Sequence, residues 1–127
     1  NRHPAVLRQL HALGVGLDVC SPGEVRHALG LGYTLGDLSF TAGCLSRADY
    51  QALAEWREMW VNADSLTALR RIAELSPGRE LGLRINPASG LGYGDNDMVR
   101  YAGRKPSKFG VYLDRFAEAL ALASSRG

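Results

Sequence analysis

The stretch Leu81–Gly110, LGLRINPASGLGYGDNDMVRYAGRKPSKFG, decides how the rest of the chain is read. Its first residues, Leu81 to Ile85, predict a strand that is apolar except for Arg84. Asn86-Pro87 ends that strand, because proline has no N–H to offer a ladder. About twenty polar, glycine-rich residues follow before a helical pattern opens at Val111, a connection of uncommon length for a small domain. An arginine at the C-terminal end of a strand, opening onto such a loop, is where an α/β protein holds an anionic ligand.

Upstream, the same strand-then-helix unit repeats. Pro4 to Leu13 predicts a helix with an apolar stripe of Val6, Leu7, Leu10 and Leu13. Val15 to Cys20 predicts a short buried strand interrupted by Asp18. Ser21, Pro22 and Glu24 form a capping-box pattern for a helix ending at Leu29. Leu38 to Thr41 and Met59 to Ala63 predict two more strands, each followed by a helix. The first of these helices, from Ser46, carries Asp49 in its first turn; the second, capped by Asp64 or Ser65, runs to Leu75. A last helix is expected over Tyr112 to Ala123. Strand starts recur about every 20 to 23 residues, which is the α/β signature. The strands read as nearly continuous apolar runs, so both sheet faces are expected to be covered. The fold class is therefore α/β, either a (β/α)₈ barrel or an open doubly wound sheet. A full barrel needs roughly 200 residues or more, so 127 residues hold about half of one, treated as a single domain.

Composition narrows the function classes. Hydrophobic content is 46% and charged content 22%, ordinary for a globular domain. A net charge of +2, with basic residues scattered, argues against a nucleic-acid partner. No apolar run approaches the ~18 residues of a membrane span, and no signal-peptide pattern opens the sequence. Cys20 and Cys44 make no disulfide framework, so a cytoplasmic location with free thiols is expected. The chain opens on NRHPAVL and ends on ALASSRG, which suggests a piece of something larger.

The strand ends form a polar crown: Asp18 and Cys20, Thr41 and Cys44, Asn62 and Asp64, Arg84 and Asn86. Asp18 and Arg84 are charges inside strands, costly unless paired. Two readings stay open: an ion pair with each other, or an anion-binding role for Arg84. Glu24 needs no role beyond its cap. Cys20 and Cys44 are expected as small buried residues, since two thiols without a neighbouring histidine make a poor metal site. His3, His11 and His27 are placed at the surface or an interface. Gly90 to Gly94 runs into Asp95 and Asp97, which would repel phosphate, and those acids lack calcium-loop spacing. Lys105 and Lys108, the two lysines, are read as loop or rim charges.

Five stretches taken together carry a resemblance: DVCSPGE (Asp18–Glu24), FTAG (Phe40–Gly43), VNADS (Val61–Ser65), LRINP (Leu83–Pro87) and KFG (Lys108–Gly110). In order and spacing they resemble the fold-type III pyridoxal-phosphate decarboxylases, the alanine-racemase-like barrel group that includes the diaminopimelate and ornithine enzymes. LRINP and KFG bring the diaminopimelate branch nearest. The resemblance implies four consecutive βα units of a (β/α)₈ TIM-type barrel, incomplete and preceded by one helix. It implies pyridoxal 5'-phosphate as cofactor and an amino-acid substrate that loses CO₂ and is reprotonated. The Schiff-base lysine would stand two residues before Asn1, leaving no catalytic residue in this chain. A C-terminal β domain would lie elsewhere, and the 127-residue chain alone is expected to be inactive. Asp18 and Glu24 would lie near that lysine and the cofactor ring, and Arg84 beneath the cofactor face. Lys108 would lie near the interface of a homodimer. Cys44 stands where relatives commonly have asparagine, and the Gly90–Gly103 segment departs from the diaminopimelate pattern. These departures leave the substrate open. A racemase-type or non-catalytic cofactor-binding relative on the same barrel is one alternative. An independent α/β domain that binds an anion through Arg84 is another.

Overall fold

The computed structural model describes residues 2–87 and 109–125. Helix α1 (Pro4–Ala12) leads into β1 (Leu17–Val19), α2 (Pro22–Leu29), a 3-10 turn (Leu35–Asp37) and β2 (Leu38–Thr41). Then come α3 (Arg47–Glu55), β3 (Trp60–Ala63), α4 (Leu66–Leu75), β4 (Gly82–Leu83) and β5 (Ile85–Asn86). Strand β6 (Val111–Tyr112), a 3-10 turn (Leu113–Arg115) and α5 (Phe116–Ser124) complete the described part.

Helices α2, α3 and α4 each start where a side chain satisfies a first-turn N–H. Ser21 Oγ accepts from Glu24 N at 3.2 Å, and Ser65 Oγ from Ala68 N at 3.1 Å. Ser46 and Asp49 form a complete capping box. Ser65, rather than Asp64, caps α4, and that choice leaves the Asp64 carboxylate for other work.

Strands β1 to β4 form one parallel sheet in the order β1-β2-β3-β4. The register runs Leu17↔Leu38, Ser39↔Trp60 and Asn62↔Gly82. This sequential order lacks the reversal that defines a doubly wound sheet. β5 pairs in parallel with β6, Ile85 opposite Val111. The expected single strand Leu81–Ile85 is thus two short strands meeting at Arg84. The hydrogen bonds explain the break. Arg84 N–H donates to Ala63 O at 3.0 Å, while Arg84 O accepts from Val111 N at 2.8 Å. The chain changes partner at that residue. Val111–Tyr112 is a strand, not the start of the last helix, because Ile85 and Asn86 supply a ladder that local periodicity cannot show.

Along β2 and β3 burial alternates with period 2, contrary to the expectation of two covered faces. Val19, Leu38, Phe40, Val61 and Ala63 point to the helices and are buried. Val25, Leu53 and Leu69 meet them from α2, α3 and α4. Each large apolar side chain so buried contributes about 1.5–3 kcal/mol. α2 packs on α3, α3 on α4, and α4 on α5. Asp18, Ser39, Thr41, Trp60 and Asn62 occupy the opposite, polar face by strand alternation.

Gly82 has a steric reason. A Cβ there would collide with Asn62 Oδ1 and lie 3.1 Å from Trp60 Nε1. The Asn62 and Trp60 side chains cross β4 where no side chain stands.

Candidate functional site

The polar face is wired from strand to strand. Asn62 Nδ2 donates to Thr41 Oγ1 at 2.9 Å and to Ser39 Oγ at 3.2 Å. Thr41 Oγ1 donates onward to Asp18 Oδ1 at 3.3 Å, and Trp60 Nε1 to Asn62 Oδ1 at 3.0 Å. Asp18 is exposed and hydrogen-bonded to Thr41, not buried as expected. An Asp18–Arg84 ion pair is ruled out: β1 and β4 are separated by two strands, roughly 14 Å along the sheet.

Arg84 pairs with Asp64 instead. Its Nη1 lies 3.1 Å from Asp64 Oδ1, and its side chain is 43% exposed while that of Asp64 is 4% exposed. Gly110 N–H donates to the same Asp64 oxygen at 3.1 Å. The guanidinium carbon sits 4.7 Å from the centre of the Phe109 ring, in cation–π range. Buried Asn86 donates from Nδ2 to Phe109 O at 2.7 Å, which ties the segment before β6 to the end of β5.

At the end of β1, Glu24 reaches back further than its cap requires. Its Oε2 accepts from Cys20 N at 2.7 Å and from Cys20 Sγ at 3.2 Å, so the reciprocal half of the expected box is absent. The Cys20 N–H bond, with help from the thiol and Arg2, holds the Glu24 carboxyl below the usual range. The thiol's own hydrogen bond to Glu24, then burial and the charges of Glu24 and Asp18, push the Cys20 thiol up. Both Cys20 and Cys44 are free and exposed rather than buried, because each follows a strand end, outside the helix-facing core. Lys105, Lys108 and the Gly90–Gly94 run lie outside the described residues.

Sequence reasoning places Asp64 in the strand-end crown, with no role beyond a helix cap, and assigns no site role to Phe109 or Gly110. One signal was available for Asp64. Ser65 can cap α4 alone, so an aspartate before it is surplus to the helix. A separate cleft of about 460 Å³, lined by Arg57, Trp60 and Arg79, opens at the N-terminal ends of β3 and β4. In parallel α/β folds that end serves stability rather than chemistry.

Residues 1–127 match the pyridoxal-dependent decarboxylase family, pyridoxal binding domain. The chain belongs to this family. A diaminopimelate decarboxylase of Streptomyces coelicolor is 33% identical over 126 residues, 96% of this chain and 28% of that protein. An ornithine decarboxylase of Neurospora crassa is 30% identical over 127 residues, 98% of this chain and 24% of that protein. A crystal structure of diaminopimelate decarboxylase superposes with a TM-score of 0.82 at 29% identity, covering 97% of this chain and 29% of that one. The chain thus spans about a quarter of the decarboxylases it matches.

A pyridoxal group with its phosphate is anionic and aromatic, with a basic ring nitrogen. The donor set fits such a group. A half-exposed guanidinium, immobilised by a carboxylate and a ring, stands at the end of β4, and Asp18 and Glu24 supply carboxylates at the end of β1. Among the described residues no cluster of three or more metal-ligating side chains forms.

Proposed function

We propose that these residues form part of the cofactor bed of an amino-acid carboxy-lyase that removes a carboxylate as CO₂ and returns a proton to the same carbon. The reading rests on one observation. In a chain of this family, Arg84 is fixed half-exposed at the C-terminal end of the sheet, where parallel α/β proteins carry chemistry. Sequential strand order, helices packed in succession and a polar second face support the finer architecture: residues 1–127 as one partial domain, four consecutive βα units of an incomplete (β/α)₈ barrel wall.

Arg84 would hold the anionic side of the cofactor from beneath. Glu24, kept ionised by the Cys20 N–H, and Asp18, steadied by Thr41, would face its cationic side and the amine of the anchoring lysine. Bound pyridoxal phosphate supplies an electron sink for the pair left behind when the carboxylate departs. The residues of this chain orient that group and place charge around it. The substrate class is a diamino acid such as diaminopimelate or ornithine, after the named relatives. A cytoplasmic homodimer with Lys108 at its rim completes the proposal.

The test uses the full-length protein with pyridoxal phosphate, offered diaminopimelate, ornithine, lysine and arginine separately. Release of CO₂ with formation of the matching amine is the expected result. Loss of chirality at the α-carbon without CO₂ would establish the racemase alternative instead.

A further inference from the structure

Asp64 is the one buried carboxylate among the described residues, at 3% exposure. Such a group is costly without hydrogen bonds, and helix α4 does not need it, since Ser65 is the cap. Its Oδ1 accepts from Arg84 Nη1 and from Gly110 N–H, groups 20 and 46 positions further along the chain. On its other side the carboxylate abuts Gly43, where a Cβ would lie 3.2 Å from Oδ2. One carboxylate therefore joins the end of β4 to the residue before β6, packed close against the segment after β2. The Phe109 ring closes on the guanidinium from that last segment.

We infer that Asp64 is a positioning residue: it aims the Arg84 guanidinium at the anionic cofactor and keeps that aim before the cofactor arrives. The inference rests on the ligand role proposed above for Arg84. An unpinned arginine must surrender its rotamer freedom when a ligand binds. Asp64 imposes that order during folding, and one Nη takes the restraint while 43% of the side chain stays exposed. The pairing also neutralises part of the arginine's charge. What Asp64 adds is geometry, and geometry predicts dependence on Arg84.

Equilibrium dialysis of the full-length protein against pyridoxal phosphate tests this in a double-mutant cycle with thermal midpoints recorded alongside. Arg84→Met and Asp64→Ala should each weaken binding about tenfold, a size typical of coupled contacts. The double variant should bind no worse than Arg84→Met alone. Equal loss from Asp64→Ala in both backgrounds, or a shift in midpoint alone, would overturn the inference and leave the role of Arg84 standing. Undiminished binding by Arg84→Met would remove both. Should Asp64→Ala not fold, Asp64→Asn, which keeps an acceptor and drops the charge, enters the same cycle with the same outcomes.

Discussion

The Glu24 carboxylate passes over Ser21 to reach the Cys20 N–H and thiol, and titration can follow that detour. Glu24 has a folded pKa below its unfolded value. Its contact therefore adds stability above the unfolded pKa, about 4.3, and loses it as pH falls through the lower folded value. Glu24→Gln should lower the unfolding midpoint at neutral pH, and the difference from the parent should shrink in acid. Thermal scans from pH 3 to 7 check this. Cys20 gives a second readout. Its thiol is pushed up by Glu24, and only thiolate reacts with alkylating reagents. Iodoacetamide should label Cys20 slowly at pH 8, and Glu24→Gln should speed it several-fold; equal rates before and after would contradict the contact. The capping pattern at Ser21–Glu24 was legible in sequence. The carboxylate's true partner was not, because it depends on how β1 turns into α2.

At the scale of elements, two residues hold strands and helices in register. Gly82 lets the Asn62 amide cross β4. Gly82→Ala should cost about 1–3 kcal/mol as overpacking, measured by urea unfolding, and should loosen the Thr41–Asn62–Trp60 network. Arg79, from the segment before β4, donates to the carbonyls of Leu53, Trp56 and Met59. It thereby closes the C-terminal end of α3 and the turn into β3. Burial, then the neighbouring Arg57, lowers its pKa, yet a guanidinium stays charged at any pH of interest. Arg79→Met leaves those carbonyls without their donor and should destabilise by about 2–4 kcal/mol; a change under about 0.5 kcal/mol would show that water replaces it. Nothing in the turn Ser76-Pro77-Gly78 announces this clamp. Its acceptors lie 20 to 26 residues upstream.

For the whole molecule, the sheet covers its apolar face with helices and leaves its polar face without a helical layer among the described residues. Trp60 is 48% exposed there, and Leu113, just before α5, and Leu120, on α5, are exposed as well. No described helix is long and apolar enough to cross a membrane. Isolated strand edges and apolar stripes associate. The 127-residue chain expressed alone should therefore elute in size-exclusion chromatography with light scattering as assemblies above its 13.7 kDa mass. It should also release no CO₂ from any amino acid with added cofactor. A stable monomer would favour the independent-domain alternative.

The α/β class, the five described helices, the first three strands and the polar character of the strand ends were written in local sequence. Periodicity and caps act between near neighbours, and near neighbours are what a sequence lists. The change of partner at Arg84, the ladder that makes Val111–Tyr112 a strand, and the choice of Asp64 over Asp18 as arginine partner were decided only by tertiary structure. Each depends on strand order, and strand order brings together groups that are 20 to 46 residues apart in the chain.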